Sequence, residues 1–477
     1  MGNSNFEISR PQAKAPYSIL GFGLRRALGR GGARPYRGSE IHPAIICRAP
    51  LLRGLRQSQN AQCSLHLHPH PQANRPVHLS TTAGYGYHAD VSSSPLIARV
   101  LQLNSRLRGG GTDNQCLALA QGLAKRGWTV EIAGPIDAPL SPQAAKLSLH
   151  ELPRFRPLQI LSLARLLRVA RPRILHAHHG DDYWTALLAS RLVQPSPLVV
   201  FTRHLAKSPR SPLSRNHLFS NADAVIAVSE FVAQVLRKGH DDPASPVPER
   251  HHRHPCRIDP RKLHVIHTGI DTTIFQPKEV SFATSARRKL GLKDKEIAFG
   301  VVGGFDLPVG KGQRVFLRAA REVMTRLPQA RFILAGRGSM EPTLQEDIQH
   351  LGLGERARLI GQQDDPVSLY HALDVLVHPQ IATEAFPSVV LEAHACGRPV
   401  IASELDGIPE AWRIGGVGQL VPAGDPFLLA RAMIHQAEHP TPDESERTEI
   451  HRRIEAEASL PVQAKKVEDL YRRLMAR

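Results

Sequence analysis

A chain of 477 residues exceeds what one hydrophobic core organises, so two or more domains are expected and a small binding module is excluded. Hydrophobic residues make up 42%, yet no apolar run approaches the ~18 residues of a membrane-spanning helix. The net charge of +18 is uneven: Lys and Arg outnumber Asp and Glu 11 to 3 over residues 1–95 and 24 to 13 over 96–276, against 26 to 27 over 277–477. This excess suits an anionic partner such as a membrane surface, or equally a basic surface that only keeps the protein in solution. Five scattered cysteines (Cys47, Cys63, Cys116, Cys256, Cys396) show no CxxC pairing, which fits a reducing, cytoplasmic location better than a disulfide framework or zinc ribbon.

Residues 1–95 are rich in Gly, Pro, Arg, His and Ser without a sustained period, and read as a basic extension of low order. Within it Ser18–Arg30 has the composition of a basic amphipathic helix for a membrane, or of a targeting leader or an upstream start. His66, His68 and His70 alternate but lack the carboxylate or thiolate partners a metal site wants.

From Ile97 an apolar run, a glycine cluster, a helix-period segment and a second strand make the opening unit of a parallel sheet. Further strands are predicted at 174–177, 198–202, 224–228 and 263–267, giving a first Rossmann-like, doubly wound domain over 96–276. An insertion at 238–262 contains His251, His252, His254 and Cys256, which reads as an exposed basic loop more readily than as a metal site. After a linker at 277–287, a second series of strands and helices from about Glu296 predicts another Rossmann-like domain over 288–455. A final helix over 456–477 has Val467, Leu470 and Leu474 on one stripe. The fold class is therefore α/β, two doubly wound domains facing a cleft, the usual ligand site of such sheets.

The densest chemical signal is Glu384-Ala-Phe-Pro-Ser-Val-Val-Leu-Glu392, directly after the strand VLVHP. Pro387 and Ser388 suit a helix start and Gly397 its end, so Glu384 belongs to the loop and Glu392 to the helix. A helix N-terminus at the C-terminal edge of a parallel sheet suits a diphosphate. Glu392 can then accept hydrogen bonds from ribose and Glu384 from a sugar ring.

With these motifs the chain resembles the retaining glycosyltransferases of the GT-B fold that carry the Glu-x7-Glu signature, the group 1 or family 4 type often found making lipopolysaccharide, capsule and glycolipids. The resemblance runs over about 96–477. It rests on ARVLQLNSRLRGGGTDNQCLALAQGLAKRGWTV, ADAVIAVSE, VIHTGIDTTIFQP, LAGRGSM, ARLIGQQDD, the Glu384–Glu392 segment, DGIPE and LVPAGDP. It implies a nucleoside-diphosphate sugar donor, a glycan or lipid-linked hydroxyl acceptor, retention of configuration and no metal cofactor. Nucleic acid is not an expected partner, since the basic extension lacks interleaved aromatics.

Residue by residue, the resemblance implies Lys311, Glu384 and His204 as catalytic. It implies Glu392, Phe386, Pro387, Ser388, Gly110, Gly111, Gly336, Arg337 and Ile360 as donor-binding, with Gly109 in the same loop. Arg203 and Lys207 are candidates for an anionic acceptor. Thr268 stands where the family most often has Asn, and Gly304 where it usually has an arginine on the diphosphate. Arg314 is the nearest substitute; the altered loop leaves room for a slow enzyme, and the alternative reading is a degenerate scaffold that binds nucleotide sugar or a partner enzyme.

Overall fold

The computed structural model describes residues 99–105, 111–135, 147–240, 254–439 and 441–477. The extension 1–95, with Ser18–Arg30 and its histidines, lies outside the described residues, as do Gly109, Gly110, His251 and His252.

The first sheet comprises β1 (Arg99–Leu103), β2 (Thr129–Gly134), β3 (Ser148–Glu151), β4 (Ile174–Ala177), β5 (Leu198–Arg203), β6 (Ala224–Ala227) and β7 (Leu263–Val265). They are parallel, in the order β3-β2-β1-β4-β5-β6-β7. Helices cover both faces, so β4 and β6 are buried at every position; β6 reads as a continuous apolar run, and β4 is apolar but for the buried His176. The second sheet comprises β8 (Ile297–Val302), β9 (Ala330–Ala335), β10 (Ala357–Gly361), β11 (Val375–His378), β12 (Val400–Ser403) and β13 (Gly418–Val421), parallel in the order β10-β9-β8-β11-β12-β13.

In each sheet the chain first winds outward and then returns to the other side of its starting strand. The winding reverses between β1 and β4 and between β8 and β11, and loops diverge there to leave a crevice. The loops after β8 and β11 carry Lys311 and Glu384, which is why residues 73 apart in sequence share one site.

The strands β3 and β13 do not figure in the sequence reading. Both are short edge strands with polar or glycine positions, and neither carries a strong apolar pattern. The segment read as a linker carries a helix, Val280–Lys289, packed on the helix Pro366–Ala372, with Phe282 edge-on to His371 at 5.3 Å.

The last helix, Leu460–Met475, packs on the Gly111–Lys125 helix of the first half. It buries Val467, Leu470, Tyr471 and Leu474 in a core shared with β1, β2 and β5. The return crossing passes over Gly269, where a Cβ would lie 2.5 Å from the Ser459 carbonyl oxygen, so only glycine lets the two backbones meet.

Candidate active site

Beyond β8 the chain turns through Gly303–Gly312 before the helix Gln313–Arg326 begins. Gly312 has φ 83°, and a Cβ there would sit 1.8 Å from the Pro379 carbonyl oxygen, so the turn is seated directly against the loop after β11. That seating brings Lys311 Nζ to 2.6 Å from Glu384 Oε2. The lysine backbone is held by its N–H donating to Gln313 Oε1 at 2.7 Å.

Glu384 is fixed at both ends of its peptide: its N–H donates to Asp406 Oδ2 at 3.2 Å, and its carbonyl accepts from Gly407 N–H at 3.1 Å. Burial alone would raise its carboxyl, but the charge of Lys311, the pull of His378 once that ring protonates in acid, and the bond from Lys311 hold it below the ordinary carboxylate value. His378 ends β11 beneath it, 1% exposed, with Nε2 3.9 Å from Glu384 Oε2 and neither ring nitrogen hydrogen-bonded. Burial pushes that imidazole down to about 4, against the pull of Glu384, so it is neutral at neutral pH.

The helix Ser388–Ala395 starts four residues on. Its cap residue, Pro387, offers no side-chain acceptor, and the first-turn amides of a helix have no partners within it. Glu392 lies one turn inside and accepts the Tyr370 hydroxyl at 2.6 Å. Burial raises its carboxyl despite the bonds from Tyr370 and Ser388. Gly336 and Arg337 directly follow β9 and Ile360 lies near the end of β10, all three held by backbone contacts. Phe305 N–H donates to the Arg337 carbonyl at 3.2 Å, Gly336 N–H to the Gly361 carbonyl at 2.9 Å, and the Ile360 carbonyl accepts from Gln363 at 2.7 Å.

Phe386 ties this loop to the other domain by stacking on His267, centroids 4.6 Å apart and planes at 13°. Glu410, in the first turn of the helix Ile408–Gly415, accepts from His267 Nε2 at 2.7 Å and from the backbone N–H of Glu230 at 2.8 Å. It thereby caps, from the second half, the first-half helix Glu230–Lys238.

On the first-half side His204 follows β5, with Nε2 3.4 Å from His178 Nδ1. His178 Nε2 is bonded in turn to Gln102 Oε1 at 2.5 Å. Burial, reinforced by His179 and Arg203, holds His204 down to about 3. Asp182 accepts the Ser105 N–H at 2.9 Å and is pushed up to about 6 by burial. Gly111 opens the first helix; its predicted neighbour Gly110 lies outside the described residues.

Two expectations are corrected. Arg203 does not present its guanidinium to an acceptor: it is 5% exposed and donates to the Lys207 carbonyl, which leaves only Lys207 of that pair half-exposed. Arg314 does not replace the missing arginine, because it forms a two-pronged pair with Asp347 at 2.6 and 3.1 Å. Sequence reasoning missed His378, Asp406, Tyr370, His267 and Glu410. His378, a histidine ending an otherwise apolar strand, carried a signal by which it could have been found, and Asp406, Glu410 and His267 lie within the DGIPE and VIHTGIDTTIFQP motifs; Tyr370 carried none.

Residues 109–274 match the family model "Glycosyltransferase Family 4", and residues 296–439 match "Glycosyl transferases group 1". A D-inositol 3-phosphate glycosyltransferase of Mycobacterium sp. (strain KMS) is 30% identical over 271 residues, covering 53% of this chain and 56% of that protein; the chain thus spans little more than half the length of such relatives. The glycosyltransferase structure from Rickettsia africae superposes with a TM-score of 0.68 at 20% identity, over 80% of this chain and 99% of that one. Anabaena HepE in complex with UDP and glucose superposes with a TM-score of 0.63 at 18% identity, over 78% and 99%. The two halves of this chain are therefore a family 4 glycosyltransferase domain and a group 1 glycosyltransferase domain, arranged as a GT-B fold.

Proposed function

We propose that this protein is a glycosyltransferase that moves a sugar, with retention of configuration, from a nucleoside-diphosphate donor to a hydroxyl acceptor in the cleft between its halves. The observation that carries the reading is the Lys311–Glu384 pair, set at the reversal point of the second sheet beside a helix start with no side-chain cap. Similar proteins point the same way: one is a D-inositol 3-phosphate glycosyltransferase, and HepE binds UDP and glucose.

In this reading the diphosphate takes the first-turn amides at Ser388 and draws Lys311 from Glu384, so the ammonium neutralises the departing oxygen where charge develops. Glu384, kept ionised by its surroundings, then accepts hydrogen bonds from the sugar hydroxyls, and Glu392 from ribose. This assigns the leaving group's charge to protein groups and asks no metal of the site. The bond between sugar and β-phosphate oxygen breaks as the acceptor oxygen bonds to the sugar carbon. The acceptor's proton passes to the departing phosphate on the same face. His204, neutral and half-buried at the end of β5, faces the acceptor side. Water is a competing acceptor, and closure of the halves excludes it.

The second reading is a scaffold that binds nucleotide sugar without turnover. It is favoured by Gly304 in place of the usual arginine and by the engagement of Arg314 with Asp347. Purified protein assayed for transfer and donor hydrolysis against UDP-, GDP- and ADP-sugars separates the two. Turnover lost in both Glu384→Ala and Lys311→Ala supports the enzyme, whereas binding without turnover, with candidate lipid acceptors supplied, supports the scaffold.

A further inference from the structure

Gln102, His176, His178, Thr202 and His204 form a polar row across three neighbouring strands of the first sheet. Alternate residues of a strand share one face. Gln102 of β1 pairs in register with His176 of β4, and His178 and His204 follow two residues beyond His176 and Thr202. The face is otherwise apolar, with Val100, Ile174 and Val200 packed beneath Leu470 and Tyr471 of the last helix. Polar groups enclosed in this way cost stability unless each finds a partner, and Gln102, His176 and His178 are at most 2% exposed.

His176 meets two hydroxyls, Tyr471 at 2.6 Å and Thr202 at 2.7 Å, each able to turn and either donate or accept. The other members have no such freedom. Burial and the neighbouring rings hold His178 well below the ordinary imidazole value and His204 down to about 3, so both are neutral at neutral pH, with one N–H and one lone pair each. His178 is pinned by its backbone N–H, which donates to the Leu103 carbonyl at 3.1 Å, and by stacking on His176 with centroids 4.2 Å apart. Its Nε2 stands 2.5 Å from Gln102 Oε1, an atom that only accepts, so Nε2 carries the hydrogen. His178 Nδ1 is then a lone pair, and it receives the hydrogen of His204 Nε2, 3.4 Å away. That leaves His204 Nδ1 as a lone pair on a half-buried ring, with no hydrogen bond from the described residues.

We infer that Gln102 and His178 are positioning residues that fix His204 in its Nε2–H form, so that its Nδ1 accepts a hydrogen bond from a substrate hydroxyl on the acceptor side of the cleft. The position therefore selects a group that donates a hydrogen; an ether or fluoride there finds no partner. The inference rests on the glycosyl-transfer reading for the substrate, but the tautomer is read without turnover, so the two can fail separately.

The test is nitrogen-15 NMR of the full chain labelled at histidine, at neutral pH, with the His204 signals identified by their loss in His204→Gln. The expected result in the parent is a protonated Nε2 and an unprotonated Nδ1, without averaging between the two forms. Gln102→Met, one ring away from His204, is expected to release the lock, so that the His204 nitrogens average. In transfer assays kcat/KM should fall about tenfold, the worth of one hydrogen bond. His178→Phe should give the same result by removing the middle ring, and unfolding midpoints show which variants remain folded. A parent ring protonated at Nδ1, or averaged between the two forms, would overturn the inference whether or not either variant folds. So would His204 signals that stay put in both variants, or a released tautomer with kcat/KM unchanged.

Discussion

Replacing Lys311 by methionine separates a structural ion pair from a group that acts on the leaving diphosphate. The lysine and glutamate side chains are 34% and 15% exposed, so solvent screens the pair and its loss should cost under about 1 kcal/mol of stability. Loss of a preorganised charge opposite a developing phosphate charge is far larger, about 3 kcal/mol or ~10²–10³ in kcat. The variant should therefore unfold near the parent's midpoint and turn over hundreds of times more slowly. Its pH profile should change too. In the parent, chiefly the charge of Lys311 holds Glu384 below the ordinary carboxylate value despite burial, and the pair's contribution to stability, present above that ordinary value, is lost as pH falls through the depressed one. Without Lys311 burial dominates, Glu384 titrates higher, and the acid limb of kcat moves to higher pH. The assay is steady-state transfer or donor hydrolysis across a pH series, with calorimetric unfolding alongside. A variant with kcat within about tenfold of the parent and an unmoved acid limb would refute the assignment of Lys311 to the leaving group.

Glu410→Ala removes the acceptor for the Glu230 amide and for His267. Loss of a helix cap costs ~1 kcal/mol, so the unfolding midpoint should fall and hydrogen exchange at Glu230 should quicken; unchanged exchange there would mean the halves are not bridged in solution. Tyr370→Phe takes the hydroxyl from a buried carboxylate and should cost about 1–3 kcal/mol in urea unfolding, with the Glu392 carboxyl rising further. Folded His176 and His204 are both held to about 3, whereas the unfolded chain protonates them near the ordinary 6.5. Stability should therefore fall as pH drops through that window, and His204→Gln should flatten the fall in a denaturant series.

Much of this architecture was legible because it is written locally. Apolar runs separated by helix-period segments announce buried parallel strands and their crossovers, and the two that escaped, β3 and β13, are edges whose residues need cover on less of their surface. Pro387 and Ser388 mark a helix start and Gly397, at φ 72°, its exit, so the loop and helix placement of Glu384 and Glu392 also follows from neighbours in sequence. Arg203 and Arg314 mark the limit. As lone basic residues they read as solvent-facing or substrate-facing, and nothing nearby reveals that one is enclosed around the Lys207 carbonyl and the other is taken by Asp347, 33 residues away.

Backbone preferences and apolar period act over a few residues, so the strand-and-helix rhythm, the two halves and the chemical character of the Glu384–Glu392 segment are encoded locally. Which groups meet is set by tertiary packing. Lys311 reaches Glu384 because the winding of the second sheet reverses between β8 and β11. Tyr370 reaches Glu392 across a strand and a loop, and Glu410 reaches Glu230 across 180 residues and a domain boundary. Such pairings come from crossovers and close packing of distant segments, and no short-range pattern encodes them.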